Sequence, residues 1–137
     1  MHTLRMFVVG TAIAVAIALG AASCGGSTSS SSMSPTTGCT PSSSPTTFVI
    51  MNNTVCPTTL TVSRGTQVTF SNQDVNNHEM DSDPHPEHTD CTEINQVDFI
   101  APGQSRQTGN LNIARTCGFH DHMHPDVASM KGKIVIQ

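Results

Sequence analysis

The sequence predicts one all-β domain, a small antiparallel sandwich over residues 46–137. In five short runs apolar residues alternate with their neighbours at the period of two that is typical of half-buried strands. The apolar members of these runs are Phe48, Ile50, Leu60, Val62, Val68, Phe70, Val97, Phe99, Ile134 and Ile136. Turn sequences such as Arg64-Gly65 and Ala101-Pro102-Gly103 separate several runs, and no stretch has a sustained helical period. A segment of this length has room for one core only.

The composition narrows the possible functions. The chain has a formal net charge of −4, with ten acidic against six basic side chains, which argues against nucleic acid as a partner. Trp and Tyr are absent, so the core depends on Phe, Ile, Val, Leu and Met. Six of the seven histidines lie between residues 78 and 124, and this clustering indicates a metal site.

The first 23 residues have the pattern of an export signal rather than of a folded element. A short head containing Arg5 precedes an apolar run that is too short for a comfortable membrane span and is followed by small residues. The run Leu19-Gly-Ala-Ala-Ser-Cys24 resembles a bacterial lipobox, in which Cys24 would be lipidated. We therefore expect a protein on the periplasmic side of a bacterial membrane with a lipid anchor, the alternative being ordinary cleavage that leaves a soluble periplasmic protein.

Residues 24–45 are predicted to be the lipidated cysteine followed by a flexible tether. From residue 25 this segment consists largely of Ser, Thr, Gly and Pro and has no charged side chain. Such a composition offers too little apolar surface to offset the entropy of ordering.

The donor atoms of a predicted metal site concentrate near the end of the chain. Residues 116–136 contain the thiol of Cys117, three imidazoles and the thioethers of Met123 and Met130. Sulfur and imidazole ligands favour copper over magnesium or calcium. The predicted cofactor is therefore copper, as Cu⁺ and Cu²⁺.

These motifs resemble those of the cupredoxins, the small blue-copper proteins. Cys117 is followed by His120, His122 and His124, residues 60–72 look like the family's early strand pair leading toward a distant His78, and Met130 enters the last predicted strand. The resemblance implies a Greek-key β-sandwich and a type 1 copper site on His78, Cys117, His122 and Met130, with His120 and His124 as alternates. Met130 lies further from Cys117 than the family's Met does from its Cys, so Met130 is either the axial ligand on a longer loop or a packing residue.

An unusual acidic stretch follows His78. Residues 78–91 combine prolines, carboxylates and histidines, a composition that we do not expect in a core strand and that predicts an exposed lid beside the site. Within it Met80, His85 and His88 are candidates for a second, weaker metal site, the alternative being a solvated loop with surface histidines.

The number of cysteines allows a different state for Cys117, which could be disulfide-bonded instead of copper-bound. Export leads to an oxidising compartment, where the cysteines other than Cys24 tend to pair. One arrangement joins Cys39 to Cys56 and leaves Cys117 on copper; another also joins Cys91 to Cys117 and removes the thiolate.

The function expected from the sequence is periplasmic electron transfer by a type 1 copper protein with a redox partner. The alternatives are copper sequestration or delivery with a copper-handling partner, and a metal-free module locked by a Cys91–Cys117 disulfide. No catalytic constellation stands out, so an enzyme is not expected. The segment from Gly118 to His122 does resemble the His-x-His copper segment of copper–zinc superoxide dismutase.

Overall fold

The structure is a computed structural model that describes residues 38–137; the predicted signal peptide and the predicted lipidation at Cys24 lie outside these residues. The strands are β1 (Thr47–Ile50), β2 (Val55–Cys56), β3 (Thr59–Val62), β4 (Thr69–Asn72), β5 (His78–Ser82), β6 (Asp98–Ile100), β7 (Ser105–Gln107), β8 (Thr116–Asp121) and β9 (Gly132–Ile136). Two short 3₁₀ helices span Ile94–Gln96 and Ala128–Met130. Neither is long or apolar enough to cross a membrane, and the described part of the chain has no other helix.

The strands form the two sheets of a sandwich. One sheet has the order β2-β1-β4-β7 and the other the order β3-β9-β8-β5-β6. The predicted all-β sandwich is therefore confirmed. Two strand pairs, β1 with β4 and β3 with β9, are parallel, so both sheets are mixed. The two strands of each parallel pair are far apart in the sequence, as a parallel pair requires a long crossover connection.

Three phenylalanines form the centre of the core between the sheets. Phe48 of β1 and Phe70 of β4 stack with ring centroids 5.0 Å apart, and Phe119 of β8 meets both rings edge-on at 4.8 and 5.0 Å. These stacked and edge-to-face arrangements are the ones that aromatic rings prefer. The predicted alternation places its apolar residues correctly except at Phe99, which is 43% exposed.

The register between β5 and β8 decides which side chains meet. Met80 pairs with Asp121, and Asp81 pairs with His120. Directly paired residues lie on the same face of a sheet, and successive residues lie on opposite faces. Asp121 therefore shares the inner face with the core residue Met80, whereas His120 shares the outer face with Asp81.

Two disulfides join loops to this framework. Cys39 is bonded to Cys56 of β2, so the last part of the predicted tether is fastened to the sandwich. Cys91 is bonded to Cys117 of β8. Two disulfides in so small a domain are consistent with an exported protein.

Candidate metal centre

Two groups of potential metal ligands lie on opposite faces of β8. We call His78, Asp121 and His124 the inner site, and His85, His88, His120 and His122 the outer cluster. Within each group the ligand atoms lie within 4.8 Å of one another. These are the groups of three or more such residues in the part of the chain that the structure describes.

The inner site is centred on one carboxylate oxygen. Oδ2 of Asp121 lies 2.9 Å from Nδ1 of His78 and 2.8 Å from Nδ1 of His124. His78 begins β5, Asp121 ends β8, and His124 follows in the β8–β9 loop. His78 and Asp121 are fully buried, whereas the side chain of His124 is 45% exposed. The inner site is thus a buried pair of ligands with one histidine at the surface.

Asp121 is held as a carboxylate by its hydrogen bonds. Its Oδ1 accepts from the backbone N–H groups of Glu79 and Met123, both at 3.1 Å, while Oδ2 faces the two histidines. Burial alone would raise the pKa of Asp121, but the hydrogen bonds from His78, His124 and Glu79 outweigh it and hold this pKa below its usual range. The residue therefore presents a negative oxygen to the site.

The far side of the His78 ring faces a second carboxylate. Nε2 of His78 is buried without a hydrogen-bond partner, and Oδ2 of Asp74 lies 3.6 Å away. Burial opposes ionisation of Asp74, but amide hydrogen bonds from Asn53 and Val75 together with the nearby His78 keep the pKa of Asp74 below its usual range. At 3.6 Å the two atoms are too far apart for a hydrogen bond, so Asp74 places negative charge near the ring without a hydrogen bond to it.

The outer cluster consists of four closely packed imidazoles. Nε2 of His88 lies 3.2 Å from Nδ1 of His122. The ring of His85 lies 5.1 Å from that of His122 and 5.4 Å from that of His120, measured between centroids. His120 and His122 project from the end of β8, and His85 and His88 come from residues 83–97, which we call the covering loop.

Two carboxylates flank the outer cluster. Oδ1 of Asp83 lies 2.8 Å from Nδ1 of His120, and Oδ2 of Asp81 lies 3.4 Å from Nδ1 of His88. Burial lowers the pKa of His88; Asp81 acts against this, and the neighbouring imidazoles of His122, His120 and His85 add to it. The result favours the neutral ring, which is the form that binds metals.

The covering loop is fastened at several points. The amide of Asp83 donates to the carbonyl of Gly118 on β8, and Cys91 is bonded to Cys117. The side chain of Asn95 accepts from the amide of Ser82 and donates to the carbonyl of His88. His88 has a positive φ of 51°, a strained backbone of the kind that clusters at functional sites.

The predicted exposed lid over residues 78–91 needs correction. Its first five residues form the largely buried strand β5, and Cys91 reaches the core. Two of its buried polar side chains contact other side chains: Nδ1 of His78 faces Asp121, and Asp81 faces His88. The backbone amide of Ser82 donates to Asn95, whereas its hydroxyl is buried without a partner. The later part of the segment is exposed as predicted, at residues 84–87, 89 and 90.

The disulfide also corrects the predicted ligand set. A sulfur bonded to another sulfur is not a thiolate, so Cys117 does not offer the copper ligand that the sequence predicted. All four cysteines among residues 38–137 are in disulfides. Met130 is buried in the hydrophobic core, in keeping with the packing alternative. Met80 is also a core residue and lies on the opposite face of β5 from Asp81, away from His85 and His88.

The three alternative loop histidines divide between the two groups. His124 joins His78 in the inner site, while His120 and His122 join the predicted secondary pair His85 and His88. Sequence reasoning missed Asp121. A signal was present, because Asp121 precedes His124 by the same spacing with which Cys117 precedes His120.

Comparisons with known proteins support the fold. No protein-family model and no curated protein matches the chain. Among solved structures, a purple cupredoxin from Nitrosopumilus maritimus is 16% identical with a TM-score of 0.51, covering 66% of this chain and 98% of that one. Amicyanin from Paracoccus versutus is 16% identical with a TM-score of 0.55, covering 72% and 85%. A mutant fern plastocyanin is 20% identical with a TM-score of 0.53, covering 66% and 99%.

At these low identities the similarity establishes the architecture, and the chain has the cupredoxin fold. The described residues fit copper in part. Imidazole and carboxylate ligands suit Cu²⁺, and the buried Nε2 of His120 in the outer cluster has no partner. They do not fit a type 1 site, because that site requires a thiolate and the described cysteines have none free.

Proposed function

We propose that this protein binds Cu²⁺ at the inner site and handles copper on the periplasmic side of the membrane, by sequestration or delivery. The observation that carries this proposal is the convergence of Nδ1 of His78 and Nδ1 of His124 on one oxygen of Asp121. In the cupredoxin type 1 site two histidines and a cysteine surround the metal. Here Asp121 occupies the place between the histidines that the resemblance gives to cysteine.

The carboxylate makes copper handling a better proposal than electron transfer. Thiolate and thioether sulfur stabilise Cu⁺, whereas a carboxylate oxygen is a hard ligand that prefers the divalent ion. Asp121 is fully buried and is hydrogen-bonded as a carboxylate, so this preference is built into the site. A site that strongly favours one oxidation state holds its ion rather than cycling it. An amicyanin mutant of the same fold is described in a Cu(I) form, which supports copper as the metal.

The remaining parts of the proposal are a lipid anchor at Cys24, a copper-handling protein as the partner, and the absence of a catalytic role. The lipobox-like run and the Ser/Thr-rich segment after it support the anchor. Partitioning of a Cys24→Ser variant into the soluble fraction is the expected result, and its retention in membranes would contradict the anchor.

A Cu²⁺ titration of the purified protein, followed by electron paramagnetic resonance, tests the metal site. We expect His78→Ala and His124→Ala each to remove the inner-site signal, because each takes away a nitrogen ligand. Met123→Ala is the matched control, since Met123 lies next to His124 in the same loop and is 48% exposed. An unchanged signal in His78→Ala would contradict the proposal.

A comparison of the two oxidation states tests the choice of function. We expect the inner site to bind Cu²⁺ more tightly than Cu⁺ and to retain its Cu²⁺ affinity when Cys91 and Cys117 are both replaced by serine. A clear preference for Cu⁺, or loss of Cu²⁺ binding in the double serine variant, would restore electron transfer through Cys117 as the better proposal.

A further inference from the structure

The outer cluster has features that a group of surface histidines lacks. His120 is 1% exposed although it projects from the outer face of the sheet, because the covering loop lies over it. Its Nδ1 faces Asp83, and its Nε2 is buried without a partner. Burying a polar nitrogen without a hydrogen bond costs about 1–3 kcal/mol, so an unpartnered Nε2 points to a missing ligand.

The spacing of the nitrogens fits a shared metal ion. Imidazole nitrogens bind Zn²⁺ at about 2.0–2.1 Å, which places two ligands of a tetrahedron about 3.3 Å apart. Nε2 of His88 and Nδ1 of His122 are 3.2 Å apart, and each of the four histidines has a nitrogen within 4.8 Å of those of the others. The rings of His88 and His122 are close to perpendicular, at 79°.

The surroundings of the cluster meet the other requirements of a metal site. Asp83 is hydrogen-bonded to Nδ1 of His120, which orients that ring so that its unpartnered Nε2 is free for a metal. Asp81 lies 3.4 Å from Nδ1 of His88, whose Nε2 points instead at Nδ1 of His122. The two carboxylates also balance the charge that neutral imidazoles leave on a divalent ion. An open surface cleft of about 490 Å³ is lined in part by His85 and His120, so an ion can reach the cluster from solvent.

We propose that His85, His88, His120 and His122 form a second metal site that holds a divalent first-row transition ion and fastens the covering loop to β8. Four imidazoles suit Cu²⁺ and Zn²⁺, and the general order of affinities places Cu²⁺ above Zn²⁺. With four protein ligands the coordination shell is closed, as in structural rather than catalytic sites. This proposal is independent of the inner site, which uses the opposite face of β8.

Calorimetric titration of the purified protein with Cu²⁺, and separately with Zn²⁺, tests the second site. We expect two Cu²⁺ binding events, one for each group. The double variant His85→Ala/His88→Ala should remove the event of the outer cluster, and His78→Ala/His124→Ala should remove that of the inner site. Thr89→Ala is the matched control, because Thr89 is exposed in the same loop. His122→Ala is a second test that leaves the covering loop intact, and we expect it to remove the same event as the double variant.

The outcomes separate this proposal from the inner-site proposal. If the only binding event is lost in His78→Ala/His124→Ala and survives in His85→Ala/His88→Ala, the outer site is overturned and the inner site stands. If the reverse is found, the inner site fails and the outer site stands. Protection of the backbone amides of residues 85 and 87–90 from hydrogen exchange should increase on adding Zn²⁺ to the wild-type protein but not to His122→Ala. Equal protection in both would contradict the fastening of the loop.

Discussion

The inner site and the outer cluster use adjacent residues of one strand, yet they are built differently. The inner site joins two strand ends, with His78 and Asp121 both fully buried. The outer cluster joins the end of β8 to a covering loop whose His85 is exposed. Strand ends fix His78 and Asp121 independently of the covering loop, whereas the outer cluster exists only while the covering loop is in place. Substitutions can therefore separate the two.

Removal of the inner carboxylate should have the largest effect. Asp121→Ala leaves Nδ1 of His78 and the amides of Glu79 and Met123 without their acceptor. We expect a loss of about 3–5 kcal/mol in the free energy of unfolding, measured by urea denaturation, and loss of inner-site copper. Asp126→Ala, an exposed carboxylate of the same loop, is the control. If Asp121→Ala lost no more unfolding free energy than Asp126→Ala, the hydrogen bonds around Asp121 would contribute little to stability.

Removal of the Cys91–Cys117 disulfide should cause the next largest loss of stability and should affect the inner site and the outer cluster differently. Replacing both residues by serine releases the covering loop from β8, with an expected loss of about 2–4 kcal/mol in unfolding free energy. Outer-cluster metal affinity should fall while inner-site affinity is retained. The matched control replaces Cys39 and Cys56, whose disulfide fastens the segment before β1 rather than the covering loop. The same loss of outer affinity in that control would argue against a specific role of the covering loop.

A methyl group on Gly118 should disturb the outer cluster alone. A Cβ at this position would overlap the carboxylate of Asp83, which holds His120. Because the side chain of Asp83 is 45% exposed and can move aside, we expect Gly118→Ala to lower the unfolding free energy by no more than about 1 kcal/mol and to weaken outer metal binding in calorimetry. Thr116→Ala, an exposed position of the same strand, should do neither. If the outer cluster of Gly118→Ala binds metal as tightly as that of the wild type, the observed position of the Asp83 carboxylate is not required for metal binding.

The smallest effect on stability is expected for Asp83→Asn. The side chain of Asp83 is 45% exposed, so we expect a change in unfolding free energy within about 0.5 kcal/mol. Outer metal affinity should nevertheless fall about 10- to 100-fold, because the carboxylate orients His120. Asp90→Asn, exposed in the same loop, is the control, and an affinity equal to that of the control would remove Asp83 from the site.

The sequence predicts the fold well where apolar alternation operates. Phe48, Phe70 and Ile134 are core residues, as their spacing indicates. Alternation fails for β5, where His78, Asp81 and Ser82 are buried polar residues, and for β7, whose three residues are all exposed. Two of these polar residues contact the ligand groups: His78 belongs to the inner site, and Asp81 lies beside His88 and His122 of the outer cluster. The polar residues of the candidate sites therefore break the apolar alternation from which this strand would have been predicted.

The candidate site was only partly predictable for a related reason. Composition identifies the histidines, but it cannot show that His120 joins the outer cluster while His124 joins the inner site. That separation depends on the pairing of β5 with β8, which is a long-range contact. The pairing of Cys91 with Cys117 likewise cannot be chosen from cysteine parity, so the sequence favours the thiolate while allowing the disulfide as the alternative.

Visible absorption spectra of the Cu²⁺-loaded protein test which residue lies between His78 and His124. The spectrum of the wild type is compared with that of Asp121→Cys, and Asp121→Ser is the control. Because a carboxylate rather than a thiolate lies between the two histidines, we expect weak absorption in the wild type and in Asp121→Ser. The cysteine variant should gain an intense thiolate-to-copper band. An intense band in the wild type that disappears in Cys117→Ser would contradict this account and return Cys117 to the copper site.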